Sequence, residues 1–172
     1  MTAFPDRDRD PVRRNPVRDR RQWLALAGFA LAAFAAAAIG GIGVSGTGAE
    51  YNSLRQPAWA PPSSVFGPVW TVLYAMIAVA GWLIWRRAGT GPALWLYAAQ
   101  LVLNAIWTPL FFGGGAYGLA FAEIVVLWFT IGGTVLFAWR ASARIAALLL
   151  LPYWVWVTYA TALNLAIWQL NR

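Results

Sequence analysis

The sequence predicts an all-α integral membrane protein, a bundle of five transmembrane helices, and three observations lead there. Of its 172 residues, 60% are hydrophobic and only 11% are charged, a balance too apolar for a soluble domain of this length. The apolar residues gather into five runs, each about the 20 residues that a helix needs to cross a hydrocarbon core of roughly 30 Å. The arginines fall almost entirely between the runs, in the alternating pattern of loops on opposite sides of a membrane.

Along the chain, residues 1–22 hold seven arginines, four aspartates and three prolines and almost nothing apolar to bury, which reads as a disordered basic tail. Residues 23–172 form the membrane domain. Its first run, Trp23 to Val44, follows Arg20-Arg21-Gln22-Trp23-Leu24, a weak likeness to a twin-arginine or secretory signal. It exceeds the roughly 7–15 residues of a signal core, which favours a span. The remaining runs are Val65 to Trp85, Ala93 to Phe112, Tyr117 to Trp139 and Ile145 to Leu170. A long loop rich in Gly, Pro and Ser, Gly46 to Ser64, precedes the second run, and the other links are short. Gly113-Gly114-Gly115 suits a tight turn between helices, because glycine reaches backbone angles closed to other residues.

Charge sets the expected orientation. With the N-terminus cytoplasmic, the inner segments hold eleven arginines and the outer ones only Arg55 and Arg172, a positive-inside bias for a cytoplasmic N-terminus and an external C-terminus. The expected location is a bacterial cell membrane, and the lipid bilayer is the first partner. Arginines that follow topology do not mark a nucleic-acid binder, despite the net charge of +7.

The composition also excludes chemistry. There is no cysteine and no histidine, which removes the usual ligands of zinc, copper, haem iron and iron–sulfur clusters, and with them thiol nucleophiles and imidazole bases. No carboxylate pair, metal-ligand spacing or phosphate loop is visible, so no catalytic or metal-binding residue is assigned and no cofactor is required. The positive anomaly is 12 tryptophans, only some of which fit an interfacial aromatic belt.

Polar groups inside a span face the protein interior, a partner or a cavity, and three spans carry them in register. In the third, Gln100 and Asn104 lie four apart with Trp107 three further on, so they share one face. In the fifth, Trp156, Ala160 and Asn164 recur every four residues, with Tyr153 three before. In the second, Trp70 and Tyr74 stack at that spacing, with Gly67 and Gly81 roughly on the same side. Two uses fit these faces. Asparagine and glutamine commonly tie membrane helices together; alternatively, flat aromatic side chains with hydrogen-bonding tips, beside small residues, line a ligand cavity. Glu123 is the only acid within a span and reads as an interfacial or bundle-facing group near the outer surface. Gly132-Gly133 reads as a close helix contact.

The segments "QPAWAPPSSVFGPVWTVLYAMIAVAGWLIWR", "AAQLVLNAIWTPLFFG" and "LPYWVWVTYATALN" together resemble the translocator protein family, which includes the bacterial tryptophan-rich sensory proteins and the mitochondrial peripheral benzodiazepine receptor. The resemblance covers roughly Gly28 to Gln169. It implies a five-helix bundle, commonly a homodimer in bacteria, with a pocket for porphyrins and other apolar ligands and, in some members, cholesterol. Carried over by motif, Trp59, Pro61 and Pro62 belong to a loop that lids the pocket, while Trp70, Tyr74, Gln100, Asn104, Trp107, Trp156, Ala160 and Asn164 belong to its wall. The animal members' cholesterol pattern needs a tyrosine and then a basic residue near the end of the fifth helix. Here Leu165, Ala166 and Gln169 occupy that region, so sterol binding is not carried over. Without histidine or cysteine a haem lacks its usual axial ligands, and a metal-free, protoporphyrin-like tetrapyrrole is the expected guest.

A membrane ligand-binding protein acting in tetrapyrrole handling, stress-linked sensing or transport is thus the leading expectation. The alternatives are light-dependent porphyrin degradation, which the resemblance also implies, and a porphyrin or sterol transporter. The second stands lower because five spans do not divide into two equal repeats. In all three, Pro57, Pro61 and Pro62 stiffen the loop, Pro68 starts the second helix, and Trp70 and Tyr74 continue from that start into the wall.

Overall fold

The computed structural model describes residues 16–41 and 47–172. Its helices are α1 (Pro16–Gly41), α2 (Thr47–Ser53), α3 (Phe66–Ala88), α4 (Pro92–Thr108), α5 (Tyr117–Arg140) and α6 (Arg144–Leu170), with no strand among the described residues. Five of them are long and apolar enough to cross a membrane: Arg20–Gly40, Ser63–Ala88, Pro92–Gly113, Tyr117–Arg140 and Arg144–Leu170. They match the five expected runs to within a few residues, and the chain is an integral membrane protein.

The two ends of the first span differ from expectation. Helix α1 begins at Pro16 rather than Trp23, so residues 16–22 are its first turns and not tail. Proline is well placed there, since the first turn of a helix needs no amide hydrogen. The tail expected for residues 1–15, and Gly43 and Val44 at the expected end of the run, lie outside the described residues. Within the expected Gly46–Ser64 loop, the described residues 47–64 are more ordered than their composition suggests. They open with α2, run on as a strap over residues 54–62, and enter α3 through a 3₁₀ turn, Ser63–Val65.

The five spans close into a ring. Helix α1 packs on α3 and α4, α3 also on α6, and α5 bridges α4 and α6, so each helix has two main neighbours. Burial follows from that ring: Ile77, Ile84, Leu127, Ile131, Leu150 and Val157 face inward and are sealed. Glycines let aromatic rings close the seams. The indole of Trp154 lies 2.8 Å from where a side chain on Gly132 would begin, that of Trp168 lies 2.9 Å from the same point on Gly118, and Leu96 sits 3.1 Å from that of Gly133. The Gly132-Gly133 pair is therefore a close helix contact, as its sequence suggested.

Turn chemistry follows the expected places with one addition. Gly115 takes a positive φ of 56° between α4 and α5, the conformation that favours glycine. Between α5 and α6 the same left-handed region is occupied by Ser142, at φ 61°, a position with no glycine to announce it. Pro109 leaves its own mark, because it has no amide hydrogen to continue the α-helical ladder. The chain widens at Pro109–Gly113 into a π-turn closed by the Gly114 amide donating to the Pro109 carbonyl at 3.1 Å.

One end of the bundle carries Arg20, Arg21, Arg86, Arg87, Arg140 and Arg144, all exposed. Arg86 lies 4.5 Å from the Trp82 ring and Arg144 5.5 Å from that of Trp139, so apolar stems and aromatic faces carry the charges toward water. The strap, Arg55 and Arg172 lie at the other end.

Candidate functional site

At the strap end the ring of helices does not close completely, and a cavity of about 450 Å³ remains. Its walls come from α1 (Phe34, Ala37), α3 (Phe66, Trp70, Tyr74), α4 with its π-turn (Asn104, Trp107, Phe111, Phe112), α5 (Ile124, Leu127) and α6 (Trp156, Ala160, Asn164). Tyr51 of α2 covers it. The sequence reasons for this lining are local. The i, i+4 spacing on α3 and α6 turns Trp70 with Tyr74, and Trp156 with Ala160 and Asn164, to one side. The π-turn after Pro109 brings Phe111 against Trp107, stacked at 5.0 Å.

Seven of the twelve sequence-selected residues line the cavity: Trp70, Tyr74, Asn104, Trp107, Trp156, Ala160 and Asn164. The other five do not line it. Tyr153 is buried behind the floor, where its hydroxyl accepts from Asn104 Nδ2 at 2.7 Å and its ring meets Trp70 edge-on at 6.1 Å. Gln100 lies one turn of α4 further toward the arginine end, fully enclosed at 0% exposure, with no hydrogen-bond partner for either amide atom among the described residues. The four-residue spacing that aligned it with Asn104 was correct, but the cavity ends a turn above it. Trp59, Pro61 and Pro62 belong to the strap and reach the cavity only through intermediaries.

Those intermediaries are aromatic. Trp59 meets Tyr159 edge-on at 5.6 Å, Tyr159 leans on Trp156 at 5.7 Å, Trp156 meets Phe66 at 6.1 Å and Phe66 meets Tyr51 at 5.1 Å. The Tyr51 hydroxyl donates to the Pro61 carbonyl at 3.0 Å, and Gln56 Nε2 donates to the Tyr51 carbonyl. Burial pushes the Tyr51 phenol up to about 12, with the nearby Tyr159 adding a smaller rise. The phenol therefore stays neutral and keeps its donor at physiological pH.

The asparagine amides and the Tyr74 hydroxyl of the lining are already paired. Tyr74 donates to Asn104 Oδ1 at 2.8 Å while Asn104 Nδ2 donates to Tyr153, so one carboxamide ties α3, α4 and α6 together. Trp107 Nε1 donates to Asn164 Oδ1 at 3.1 Å, and Asn164 Nδ2 donates to the Tyr117 carbonyl at 3.0 Å. Both asparagines thus fill the helix-tying role, and the cavity they border presents mainly ring faces.

Two further expectations are corrected or refined. Gly81 leaves no room in the cavity, because the Tyr97 ring occupies the place of its missing side chain. Of the two places expected for Glu123, the structure shows the bundle-facing one: both its carboxylate oxygens are buried, without a partner among the described residues. Sequence reasoning missed Phe34, Tyr51, Phe66, Phe111 and Phe112. Pro109 was the available signal for the last two, since an interior proline disturbs the helical phase that placed everything before it.

A ring of five membrane helices around an aromatic cavity, roofed by a proline-rich strap, defines the class of protein. The chain belongs to the TspO/MBR family, whose sequence profile matches residues 29–169. It is 39% identical over 127 residues to a protein named Translocator protein from Ovis aries, covering 71% of this chain and 75% of that one. To the Tryptophan-rich sensory protein of Cereibacter sphaeroides it is 39% identical over 121 residues, covering 70% and 76%. Protein CrtK of Rhodobacter capsulatus is 34% identical over 130 residues, covering 72% and 79%.

Proposed function

We propose that the chain is a membrane receptor for flat, apolar ligands of the tetrapyrrole class, chiefly metal-free porphyrins, acting in their handling, sensing or transport. The observation that carries this reading is the lining of the cavity: the rings of Trp70, Trp107, Trp156, Phe66 and Phe111 surround about 450 Å³, within the roughly 300–1,000 Å³ usual for small-molecule sites. The asparagine amides are used inside the protein, so affinity comes from stacking and shape. The absence of histidine and cysteine from the whole sequence favours a guest that needs no axial ligand.

This reading also places the arginine-bearing end in the cytoplasm of a bacterial cell and the strap outside. It includes a homodimer, supported by a shallow membrane-facing groove between α1 and α4 that Ala32, Ala35, Ala98 and Ala105 line, small residues of the kind that let helices approach closely.

The test is a titration of the protein in lipid nanodiscs with protoporphyrin, followed by quenching of tryptophan fluorescence. Trp156→Phe is expected to weaken binding by about 2- to 10-fold, the worth of an aromatic stacking contact of about 0.5–1.5 kcal/mol. Trp95→Phe, an exposed ring at the arginine end, is expected to leave it unchanged. Unaltered affinity in both Trp156→Phe and Trp70→Phe overturns the reading.

A further inference from the structure

We propose that the guest reaches the cavity sideways from the bilayer, between α1 and α3, and that the strap is a fixed roof rather than a gate. The inference rests on the reading of the cavity as a site for apolar molecules and adds the route by which they arrive.

The first observation is an asymmetry in the cavity wall. On the α5 and α6 side, Ile124, Leu127, Val157 and Ile167 line the cavity and are 0–2% exposed, so nothing passes behind them. On the α1 and α3 side, Phe34, Gly67 and Thr71 also line the cavity, yet Phe34 is 45% exposed and the other two are exposed as well. A residue with one side in the cavity and another on the outside of the bundle marks a breach in the wall. Gly67 has no atom within 4 Å of where its side chain would begin, unlike the glycines that aromatic rings cover. The Thr71 hydroxyl donates back to the Gly67 carbonyl at 2.9 Å, which satisfies its one donor and leaves an apolar rim. Phe34 lies six residues inside the Gly40 end of its span, about 9 Å along the helix axis. The breach therefore opens toward lipid and not only toward water.

The second observation is how firmly the strap is held. The Arg55 amide donates to Asn171 Oδ1 at 3.0 Å and Asn171 Nδ2 donates back to the Arg55 carbonyl at 2.9 Å, a reciprocal pair in which a side-chain amide imitates a peptide. The same Nδ2 donates to the Ile167 carbonyl at 2.8 Å, which fixes the clasp to the last turn of α6. Tyr159 donates to the Trp59 carbonyl at 3.1 Å. Helix α6 thus grips the strap at two points about 18 Å apart along its axis. Opening it breaks these hydrogen bonds and the aromatic contacts together, whereas at the α1 and α3 rim the contact to part is that of the Phe34 and Tyr74 rings, 6.4 Å apart.

The natural absence of cysteine allows a test that needs no porphyrin. Ala160→Cys places a single thiol in the cavity, and its modification is timed in liposomes with a long-chain N-alkyl maleimide dissolved in the bilayer and with a sulfonated maleimide confined to water. The expected result is fast labelling by the first reagent and slow labelling by the second. Adding Gly67→Trp, or Thr71→Trp should the first variant fold poorly, is expected to slow the lipid-borne reagent at least fivefold. Adding Asn171→Ala, with loosening of the strap verified by hydrogen exchange, is expected to change the rate less than twofold. Faster labelling from water, acceleration by Asn171→Ala, or indifference to both rim variants overturns the proposal. A correct labelling pattern combined with no porphyrin quenching overturns only the choice of guest.

Discussion

The wall formed by α5 and α6 and the wall formed by α1 and α3 are built from the same kinds of residue and behave differently. Both contain glycines on apolar helices. On the first wall Gly118 and Gly132 receive the rings of Trp168 and Trp154 and Gly133 the Leu96 side chain, and Trp128 Nε1 adds a bond across the seam to Thr158 Oγ1 at 2.7 Å. On the second, Gly67 faces open space. The lesson is that a glycine in a membrane helix is a vacancy whose meaning depends on whether a large neighbour occupies it.

The sharpest way to break this comparison is to fill both kinds of vacancy. Gly132→Leu forces the Trp154 indole out of its seat and is expected to destabilise the protein by about 1–3 kcal/mol in detergent unfolding. Gly67→Leu meets nothing, and replacing a helical glycine is expected to leave stability equal or higher by about 0.5–1 kcal/mol. Equal losses in the two variants would erase the distinction between the walls.

A smaller effect separates the floor from the walls. Asn104→Leu leaves the Tyr74 and Tyr153 hydroxyls without their shared partner and is expected to cost about 1–2 kcal/mol in the same unfolding measurement, with a larger loss of order in α3 than in α5. A variant as stable as the native chain would reduce that network to decoration.

The smallest effect concerns the roof. The phenol of Tyr51 rises to about 12, with burial as the main cause, so its neutral form is the one the fold favours. That contribution is fully present below the ordinary midpoint near 10 and is lost as pH rises through about 12. Hydrogen-exchange protection of residues 54–60, corrected for intrinsic rate, is accordingly expected to stay flat from pH 6 to 9. Tyr51→Phe is expected to lower it by at most about fivefold at every pH in that range. Loss of protection between pH 7 and 9 in the native chain contradicts a buried, neutral Tyr51.

Much of this was legible in the sequence because membrane helices obey one strong rule, that about 20 apolar residues make a span. Three- and four-residue spacing then identified Trp70, Tyr74, Asn104, Trp107, Trp156, Ala160 and Asn164, all of which the fold brings to one cavity. Spacing gives a direction around the helix and no depth, which is why Gln100 shared the face of Asn104 without reaching the cavity. It also cannot tell whether an amide serves a ligand or a neighbouring helix; Asn104 and Asn164 serve neighbours. Phe34 escaped notice because α1 is nearly uniform in alanine and its apolar pattern has little phase. The clasp of Asn171 on Arg55 joins residues 116 positions apart, and no local pattern signals such a pair.

The most direct measurement is a structure of the protein in a lipid bilayer saturated with protoporphyrin. Planar density is expected inside the cavity in contact with Trp70 and Trp156, with the strap still clasped to Asn171. Density confined to the groove between α1 and α4, with the cavity empty, would contradict that expectation.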